Sequence, residues 1–310
     1  MGGAGFGSDA AGAIAALPMY DHPALRAATD ALWAGVAARL AEAGLAAPAT
    51  LSRGPDLEAL WQHPGLVLGQ TCGFPFAYGL AGSVQLVGHP VYDVPGCEGP
   101  DYRSVFVVAE GDAARALADC AGYRPAVNGW HSQSGHNALR AAAAALTAGR
   151  AAPHFAPGLV TGAHLASAEA VADGRADIAA LDCVTWDQIR RFHPALAARL
   201  RAVGESPAAP GLPFVMAASY GEAVARQVLE ALADALADTA LDEARSALRL
   251  TAVLPPEAAR FDAIRGLRSG ARMLGQPPLV AVPEEGPGAE PAVQPAFQKS
   301  EVMPFFSQSP

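Results

Sequence analysis

Residues 125–148 read PAVNGWHSQSGHNALRAAAAALTA, and this stretch decides the fold that we predict. Its first four residues are typical of a short strand, and the alanine-rich run from Ala138 to Ala148 is typical of a helix. A polar, glycine-containing turn joins the two. The first N–H groups of a helix lack backbone partners and lie at the positive end of its dipole. Strand, turn and helix start together therefore favour a site for a small anion.

Four residues of the turn are candidate ligands: Ser132, Gln133, Ser134 and Gly135. The two hydroxyl groups add hydrogen-bond donors, and a glycine lets the backbone approach a ligand closely. The same residues also suit an ordinary serine N-cap of the helix. Taken alone the turn leaves both interpretations open, and the rest of the chain favours the anion site.

The composition limits the possible partners. The chain has 310 residues, of which 51% are hydrophobic, so about two domains with sizeable cores are expected. Its net charge is −9, and it has no basic run, which argues against nucleic acid as a partner. Local dipoles and hydroxyl groups still allow an acidic protein to bind a small anion.

The N-terminus, residues 1–11, is rich in glycine and lacks the basic and apolar regions of a secretory signal peptide. As written, the chain is therefore expected to be cytoplasmic. No stretch of 18 apolar residues suggests a membrane span. The four cysteines form no Cys-x-x-Cys motif, so we expect no metal and no cofactor. Buried thiols are the default, and a Cys72–Cys97 disulfide requires an oxidising compartment.

Strands and helices alternate along most of the chain. Strands are predicted at 13–17, 50–52, 66–70, 83–87, 104–109, 125–128, 158–161, 177–181, 199–204 and 214–217. Helices are predicted at 25–40, 55–61, 112–119, 136–148, 164–173, 184–191 and 224–236. This order indicates an α/β fold with mostly parallel, doubly wound sheets.

The alternation breaks near residue 103 and resumes near residue 207. We therefore predict two doubly wound α/β lobes around a central ligand cleft. The first lobe comprises residues 12–103 and 207–275, and the second comprises residues 104–206. The tails 1–11 and 276–310 are expected to be disordered. Ligands of such folds bind outside the carboxyl ends of the strands.

Two more polar residues are predicted at strand ends. Asp182 ends the apolar strand of the second lobe, where it either binds a ligand donor or caps the next helix. His164 opens a helix after another strand, where it either donates to an anion or lies at the surface. Residues 71–78 follow the strand at 66–70, and their glycine and aromatic residues either wall the ligand or belong to the core.

Several segments resemble a known family. They are Gln70–Pro75, Gly96–Ser104, Val127–Gly135, Val160–His164 and Gly174–Asp182. Together they are similar to the phosphate/phosphonate substrate-binding proteins of ABC transporters, the PhnD-like branch of type 2 periplasmic binding proteins. The resemblance covers about residues 12–270 and implies a fold of two lobes that close on a ligand.

The resemblance also implies roles for individual residues. Phosphoryl oxygens would be held by Ser132, Gln133, Ser134, Gly135 and His164, and Asp182 would face the other end of the ligand. Known phosphonate binders place tyrosines near the positions of Leu57 and Cys72. Tyr20 and Tyr78 are the candidates that replace them, and Cys72 and Gly73 are further candidate ligand-binding residues.

The expected function is capture of a phosphonate, phosphate or phosphite, without chemistry, by a monomer that delivers it to an ABC permease if exported. By resemblance the protein is periplasmic. Two alternatives remain open at this stage. One is an enzyme on the same fold, as in thiamine-pyrimidine synthesis, which requires a reactive His or Cys cluster. The other is a cytosolic ligand sensor.

Overall fold

Two five-stranded sheets carry the fold, and a small third sheet lies where the chain passes between them. The structure is a computed structural model that describes residues 12–54, 56–80, 82–148 and 152–283. The strands are β1 (Ile14–Ala16), β2 (Leu66–Gln70), β3 (Val84–Tyr92), β4 (Cys97–Glu98), β5 (Asp101–Tyr102), β6 (Ser104–Ala109), β7 (Pro125–Val127), β8 (Leu159–Val160), β9 (Ile178–Asp182), β10 (Leu200–Glu205), β11 (Ala209–Pro210), β12 (Phe214–Ala217) and β13 (Leu250–Leu254).

The α-helices alternate with these strands. They are α1 (Arg26–Glu42), α2 (Leu57–Trp61), α3 (Gly73–Tyr78), α4 (Ala138–Thr147), α5 (His164–Ala172), α6 (Cys183–Phe192), α7 (Pro194–Ala197), α8 (Gly221–Ala237), α9 (Asp242–Leu248) and α10 (Asp262–Met273). None of the helices in the described ranges is long and apolar enough to span a membrane.

The first lobe is built on the sheet β1-β2-β12-β3-β13. Helices α1 and α8 cover it with side chains at helical spacing, including the fully buried Trp33 and Leu232. The indole N–H of Trp33 donates to the carbonyl oxygen of Pro48 at 3.0 Å, so this buried polar group has a partner. Burial of these faces is the main stabilisation of the lobe.

The second lobe is built on the sheet β10-β6-β9-β7-β8. Its central strand β9 is buried at all five positions, as expected for a strand covered by helices on both faces. Phe106 and Leu139 pack on one face, and Val107 and Val171 pack on the other. The two doubly wound α/β lobes that the sequence predicts are confirmed.

Each sheet contains an antiparallel strand at the point where the chain enters it from the other lobe. Ser104, the first residue of β6, pairs with Asp182, the last residue of β9. Phe214, the first residue of β12, pairs with Gln70, the last residue of β2. Because β2 and β9 end at the cleft and the crossing strands begin there, the crossing strands must run in the opposite direction. The sheets are therefore mixed, although β1–β2 and β7–β9 pair in parallel as predicted.

A three-stranded antiparallel sheet, β4-β5-β11, lies at the two crossings, and we call it the hinge sheet. The two crossing segments are also joined next to it. The N–H of Ser206 donates to the carbonyl oxygen of Ser104 at 2.8 Å, and the Ser206 hydroxyl accepts from the N–H of Ser104 at 2.9 Å. The lobe boundaries near 103 and 207 stay a prediction that this arrangement supports.

Three local predictions differ from the structure. Residues 50–52 form no strand, although the N–H of Ser52 donates to the carbonyl oxygen of Ala15. The helix predicted at 112–119 is replaced by a 3₁₀ turn, Leu117–Cys120. The carboxylates of Asp112 and Asp119 accept from nearby backbone N–H groups and so compete with a regular helix. Helix α9, strand β13 and helix α10 were not predicted.

The tail predicted to be disordered from residue 276 is ordered at least to Pro283. Leu279 and Val280 are buried in the core of the second lobe. The guanidinium group of Arg140 donates to the carbonyl oxygen of Gln276, and the N–H of Leu279 donates to Nε2 of His136 at 3.1 Å. These contacts hold residues 276–283 against the second lobe, although the composition of the tail suggested disorder. Residues 1–11 and 284–310 lie outside the described residues.

This packing predicts the effect of truncating one side chain. Leu279→Ala should lower the free energy of unfolding by about 2–5 kcal/mol, because it leaves a cavity in the second lobe. Met273→Ala, at a side chain that is 80% exposed, should change it by less than about 0.5 kcal/mol. Urea unfolding measures both values. Equal stability of the two variants would contradict the packing of residues 276–283.

Candidate functional site

Three strand ends meet at the cleft between the lobes. Strand β2 is followed by Thr71 and Cys72, β7 by Asn128, and β9 ends in Asp182. Parallel strands place their carboxyl ends at one edge of a sheet, so residues distant in sequence converge there. The helix start predicted as the anion site lies at the same edge.

A π-helical turn, Gln133–Asn137, opens helix α4. The N–H of Asn137 donates to the carbonyl oxygen of Ser132, five residues before it, at 3.0 Å. The Ser132 hydroxyl accepts from the N–H of Gly135 at 2.9 Å and so forms the N-cap. The Gln133 side chain accepts from the Asn137 amide at 2.7 Å. Ser132 and Gln133 thus already serve the helix start.

Ser134, His164 and Asp182 form one buried cluster. The hydroxyl oxygen of Ser134 lies 2.8 Å from Nε2 of His164. The same nitrogen lies 3.4 Å from Oδ2 of Asp182. Ser134 and Asp182 are 3% and 2% exposed. The structure therefore brings together three residues that the sequence placed on different segments.

The imidazole of His164 is uncharged in this cluster near neutral pH. Burial lowers the pKa of its imidazole, and the carboxylate of Asp182 opposes this effect only in part. A neutral imidazole carries one N–H group, which can be donated to a ligand through Nε2.

Asp182 caps helix α6. Its Oδ1 accepts from the N–H of Thr185 at 2.8 Å, and its Oδ2 accepts from the Thr185 hydroxyl at 2.6 Å. The capping role foreseen for this residue is thus present. Because the same carboxylate lies beside His164, a ligand role is compatible with it and stays a proposal.

Cys72 brings the first lobe against the helix start. Its sulfur accepts from the N–H of Gln133 at 3.4 Å. Burial raises the pKa of this thiol, so it is uncharged near neutral pH. Sulfur is a weak acceptor compared with the oxygen of an anion. The N–H group at the start of the helix therefore has a weak partner.

Two buried tyrosines, Tyr20 and Tyr102, and the partly buried Tyr92 lie near Asp182. The rings of Tyr20 and Tyr92 meet edge to face at 5.2 Å. Burial raises the pKa of Tyr20 and of Tyr102, and the charge of Asp182 contributes to both shifts. Together with Cys97 these tyrosines line a depression of about 220 Å³, part of which is open to solvent. Tyr20 was predicted, whereas Tyr92 and Tyr102 were missed.

Signals for the missed tyrosines exist in the sequence. Tyr92 ends β3, which runs five residues beyond the predicted strand, and Tyr102 directly precedes the crossing into β6. The hydroxyl group of Tyr102 is buried, with no hydrogen bond in the described part of the chain.

Gly135 lies against a further missed residue, Asn128. A Cβ atom at position 135 would lie 2.0 Å from Oδ1 of Asn128, so a larger residue there would displace the Asn128 side chain. That amide oxygen is buried and has no hydrogen-bond partner among the described residues. The position of Asn128 directly after β7 was the signal in the sequence for this residue.

Gly73 and Tyr78 are placed apart from this cluster. A Cβ atom at position 73 would lie 2.5 Å from Cδ1 of Ile264, so this glycine allows α3 to pack on α10. The ring of Tyr78 lies 4.7 Å from that of Phe74 and 4.7 Å from the guanidinium carbon of Arg268. The core interpretation accounts for both residues, and their predicted ligand contacts stay untested.

The donors that converge at the site are thus a backbone N–H group, a hydroxyl group and an imidazole. Among residues 12–54, 56–80, 82–148 and 152–283, no cluster of three or more His, Cys, Asp or Glu could hold a metal ion. The arrangement is suited to hydrogen-bonding a small anion.

Comparison with protein families gives one match. Residues 83–260, more than half of the chain, match the family described as ABC transporter, phosphonate, periplasmic substrate-binding protein. The match includes the crossing segment, the helix start, His164 and Asp182. No curated protein sequence matches the chain.

Solved structures share the fold at low sequence identity. XAC2383 from Xanthomonas citri, bound to chloride, has a TM-score of 0.64 and 18% identity, over 85% of this chain and 98% of its own. A binding protein component of the ABC phosphonate transporter of Pseudomonas aeruginosa has a TM-score of 0.62 and 15% identity, over 85% of this chain and 87% of its own. PhnD1 from Prochlorococcus marinus, in complex with methylphosphonate, has a TM-score of 0.62 and 14% identity, over 86% of this chain and 99% of its own.

The lowered pKa of His164 predicts how pH affects stability. The neutral imidazole contributes fully above its ordinary pKa of 6.5, and the contribution is lost as the pH falls below that value. The advantage in melting temperature of the wild type over His164→Gln should therefore shrink from about pH 7.5 to about pH 5. The melting temperatures of both proteins are measured in buffers free of phosphate and sulfate. A growing advantage would instead indicate an imidazolium paired with Asp182.

Proposed function

Because the chain belongs to the phosphonate periplasmic substrate-binding family of ABC transporters, we propose that it captures a small phosphorus oxyanion between its two lobes. The ligand class comprises phosphonates, phosphate and phosphite. One observation carries the proposal: Ser134, His164 and the N–H of Gln133 converge at the start of α4, in the cleft. The protein would deliver the ligand to a membrane permease, acting as a monomer.

The anion would be held by neutral donors. The Ser134 hydroxyl and the His164 Nε2–H each offer a hydrogen bond, and the helix start adds N–H groups and its dipole. A hydrogen bond to a charged group contributes about 1.5–3 kcal/mol. A few such bonds supply much of a micromolar affinity without a positively charged residue. A ligand oxygen would replace the Cys72 sulfur as the partner of the Gln133 N–H group.

Access requires movement of the lobes. Ser134 and Asp182 are almost fully buried, and Cys72 of the first lobe lies directly on the helix start of the second lobe. The hinge sheet is the place where a rotation would separate them, as in other two-lobed binding proteins. We propose the periplasm of the family as the compartment. Residues 1–11, on which the cytoplasmic prediction rests, lie outside the described residues.

The other end of the ligand would meet Asp182 and the tyrosines. A carboxylate near a bound anion is repulsive unless a proton or an ammonium group lies between them. This favours ligands that carry a donor, such as an aminoalkylphosphonate or a monoprotonated oxyanion. The hydroxyl of Tyr102 adds a buried polar group on the same side.

Ser134, His164 and Asp182 are also the residue types of a hydrolytic triad, but their geometry differs. In a triad the serine and the carboxylate bind opposite nitrogens of the imidazole. Here both approach Nε2, at 2.8 and 3.4 Å. The carboxylate therefore does not orient the ring toward the serine. The geometry favours binding over catalysis, and the proteins of the family are transport binding proteins.

Ser134 provides the direct test of the anion site. Calorimetric titration of the wild type with methylphosphonate, phosphate and phosphite should show binding of at least one of them. Ser134→Ala should weaken that binding by about 10- to 150-fold, the loss of one charge-assisted hydrogen bond. The matched control Ser246→Ala, at an exposed serine of α9, should bind like the wild type. Absence of binding to all three ligands would overturn the proposed ligand class.

Asp182 is tested by ligand choice. Asp182→Asn keeps the cap of α6, because asparagine and aspartate are equally good N-caps. This variant should weaken the binding of an aminoalkylphosphonate by about 1.5–3 kcal/mol. The binding of methylphosphonate should be weakened much less, or should become tighter. Titration with both ligands measures the difference. Equal loss for both ligands would assign Asp182 a structural role alone.

A further inference from the structure

Two cysteines from different lobes lie in contact. The sulfur atoms of Cys97 and Cys183 are 3.4 Å apart, across 86 residues of sequence. Cys97 belongs to β4 of the hinge sheet, and Cys183 is the first residue of α6, directly after Asp182. Both are free thiols in the structure. The sequence-based candidate pair, Cys72 and Cys97, is not the pair that the structure brings together.

The backbone holds both cysteines in place. The N–H of Cys183 donates to the carbonyl oxygen of Arg103 at 3.0 Å, and the N–H of Cys97 donates to that of Val94 at 3.1 Å. Gly96 has a φ of +96°, and a Cβ atom there would lie 2.8 Å from Cβ of Cys183. Glycine at position 96 therefore permits the close approach. The chain path therefore brings the two residues together.

We propose that Cys97 and Cys183 form a reversible disulfide bond that ties the hinge sheet to the second lobe beside the ligand site. The proposal goes beyond the proposed function, because it requires no ligand. Formation of the bond requires rotation of the two side chains that brings the sulfur atoms from 3.4 Å to about 2.05 Å.

The oxidant is a second disulfide, either a small molecule such as oxidised glutathione or an oxidoreductase. Cys97, the more exposed of the two, loses its proton and attacks one sulfur of this disulfide, which releases one thiol. Cys183 then loses its proton, attacks the sulfur of Cys97 and releases the second thiol. Two protein thiols are oxidised and one external disulfide is reduced to two thiols, so atoms and electrons balance.

The surroundings set the rate of this exchange. The hydrogen bond with Cys183 and then burial raise the pKa of the Cys97 thiol. Since the thiolate is the attacking species, the exchange should be slow near neutral pH and faster in alkaline solution. Cys72 and Cys120 are each held elsewhere, by the N–H of Gln133 and by the carbonyl oxygen of Ala116. They are therefore not competing partners.

The bond would form next to the proposed ligand site. Cys97 lines the depression with Tyr20, Tyr92 and Tyr102, and Cys183 adjoins Asp182. A disulfide between them would fix the distance from the hinge sheet to the cap of α6. It also closes a long loop, which restricts the unfolded chain.

The test compares oxidised and reduced full-length protein without ligand. After incubation with oxidised glutathione in mildly alkaline buffer, free thiols are alkylated and the digested protein is mapped by mass spectrometry. We expect a peptide that joins Cys97 to Cys183 and disappears with reductant. We also expect a melting temperature higher by on the order of 5 °C in the oxidised form.

Variants identify the bond. Cys97→Ser and Cys183→Ser should each abolish the joined peptide and the shift in melting temperature. Cys120→Ser, the matched control at a buried cysteine, should retain both. A bond between any other two cysteines, or thiols that stay free, would overturn the proposal. Because mapping needs no ligand, a failure here is distinguishable from a failure of the proposed anion binding.

Discussion

The passages of the chain between the lobes near residues 103 and 207 are the constraint on which the other features depend. A chain that leaves one sheet and enters the next at the cleft must begin the new sheet with a strand antiparallel to its neighbours. The strands β2, β7 and β9 then end at the cleft, where polar residues lie. Asp182 and Ser104 pair across this edge, so the crossing and the site are fixed by the same hydrogen bonds. The site is a consequence of connectivity.

The chemistry of the site follows from burial. A cleft that excludes water strengthens each hydrogen bond to an anion and also makes an isolated charge costly. Neutral donors with a helix dipole avoid that cost, and burial keeps His164 and Cys72 uncharged. The one carboxylate, Asp182, is compensated by the hydroxyl and N–H groups of Thr185. Ser132, Gln133 and Asp182 thus have structural roles of their own at the starts of α4 and α6.

The sequence predicted the parts that depend on local patterns. The apolar run Leu66–Gln70, the strand before Asn128 and the alanine-rich α4 were found because periodicity and turn residues agree there. The helix-start residues and His164 followed from the same reasoning, and the family resemblance gave them roles. The lobe-spanning contacts were not predictable from the sequence. Cys183 and Leu279 reach their positions through tertiary packing between segments far apart in sequence, for which no local pattern exists.

Helix α10 gives the molecule a third connection between its halves. It packs on α3 of the first lobe and on α4 of the second. The Arg265 guanidinium group donates to the carbonyl oxygen of Ala77, and the Asn137 amide donates to that of Ile264. The two neighbouring crossings define an axis of rotation between the lobes. They resist poorly a rotation of the lobes about a perpendicular axis. A third link, displaced from that axis, adds contacts on which any relative movement of the lobes would have to act. Separation of the lobes would therefore have to bend or release α10 as well as rotate the two crossings.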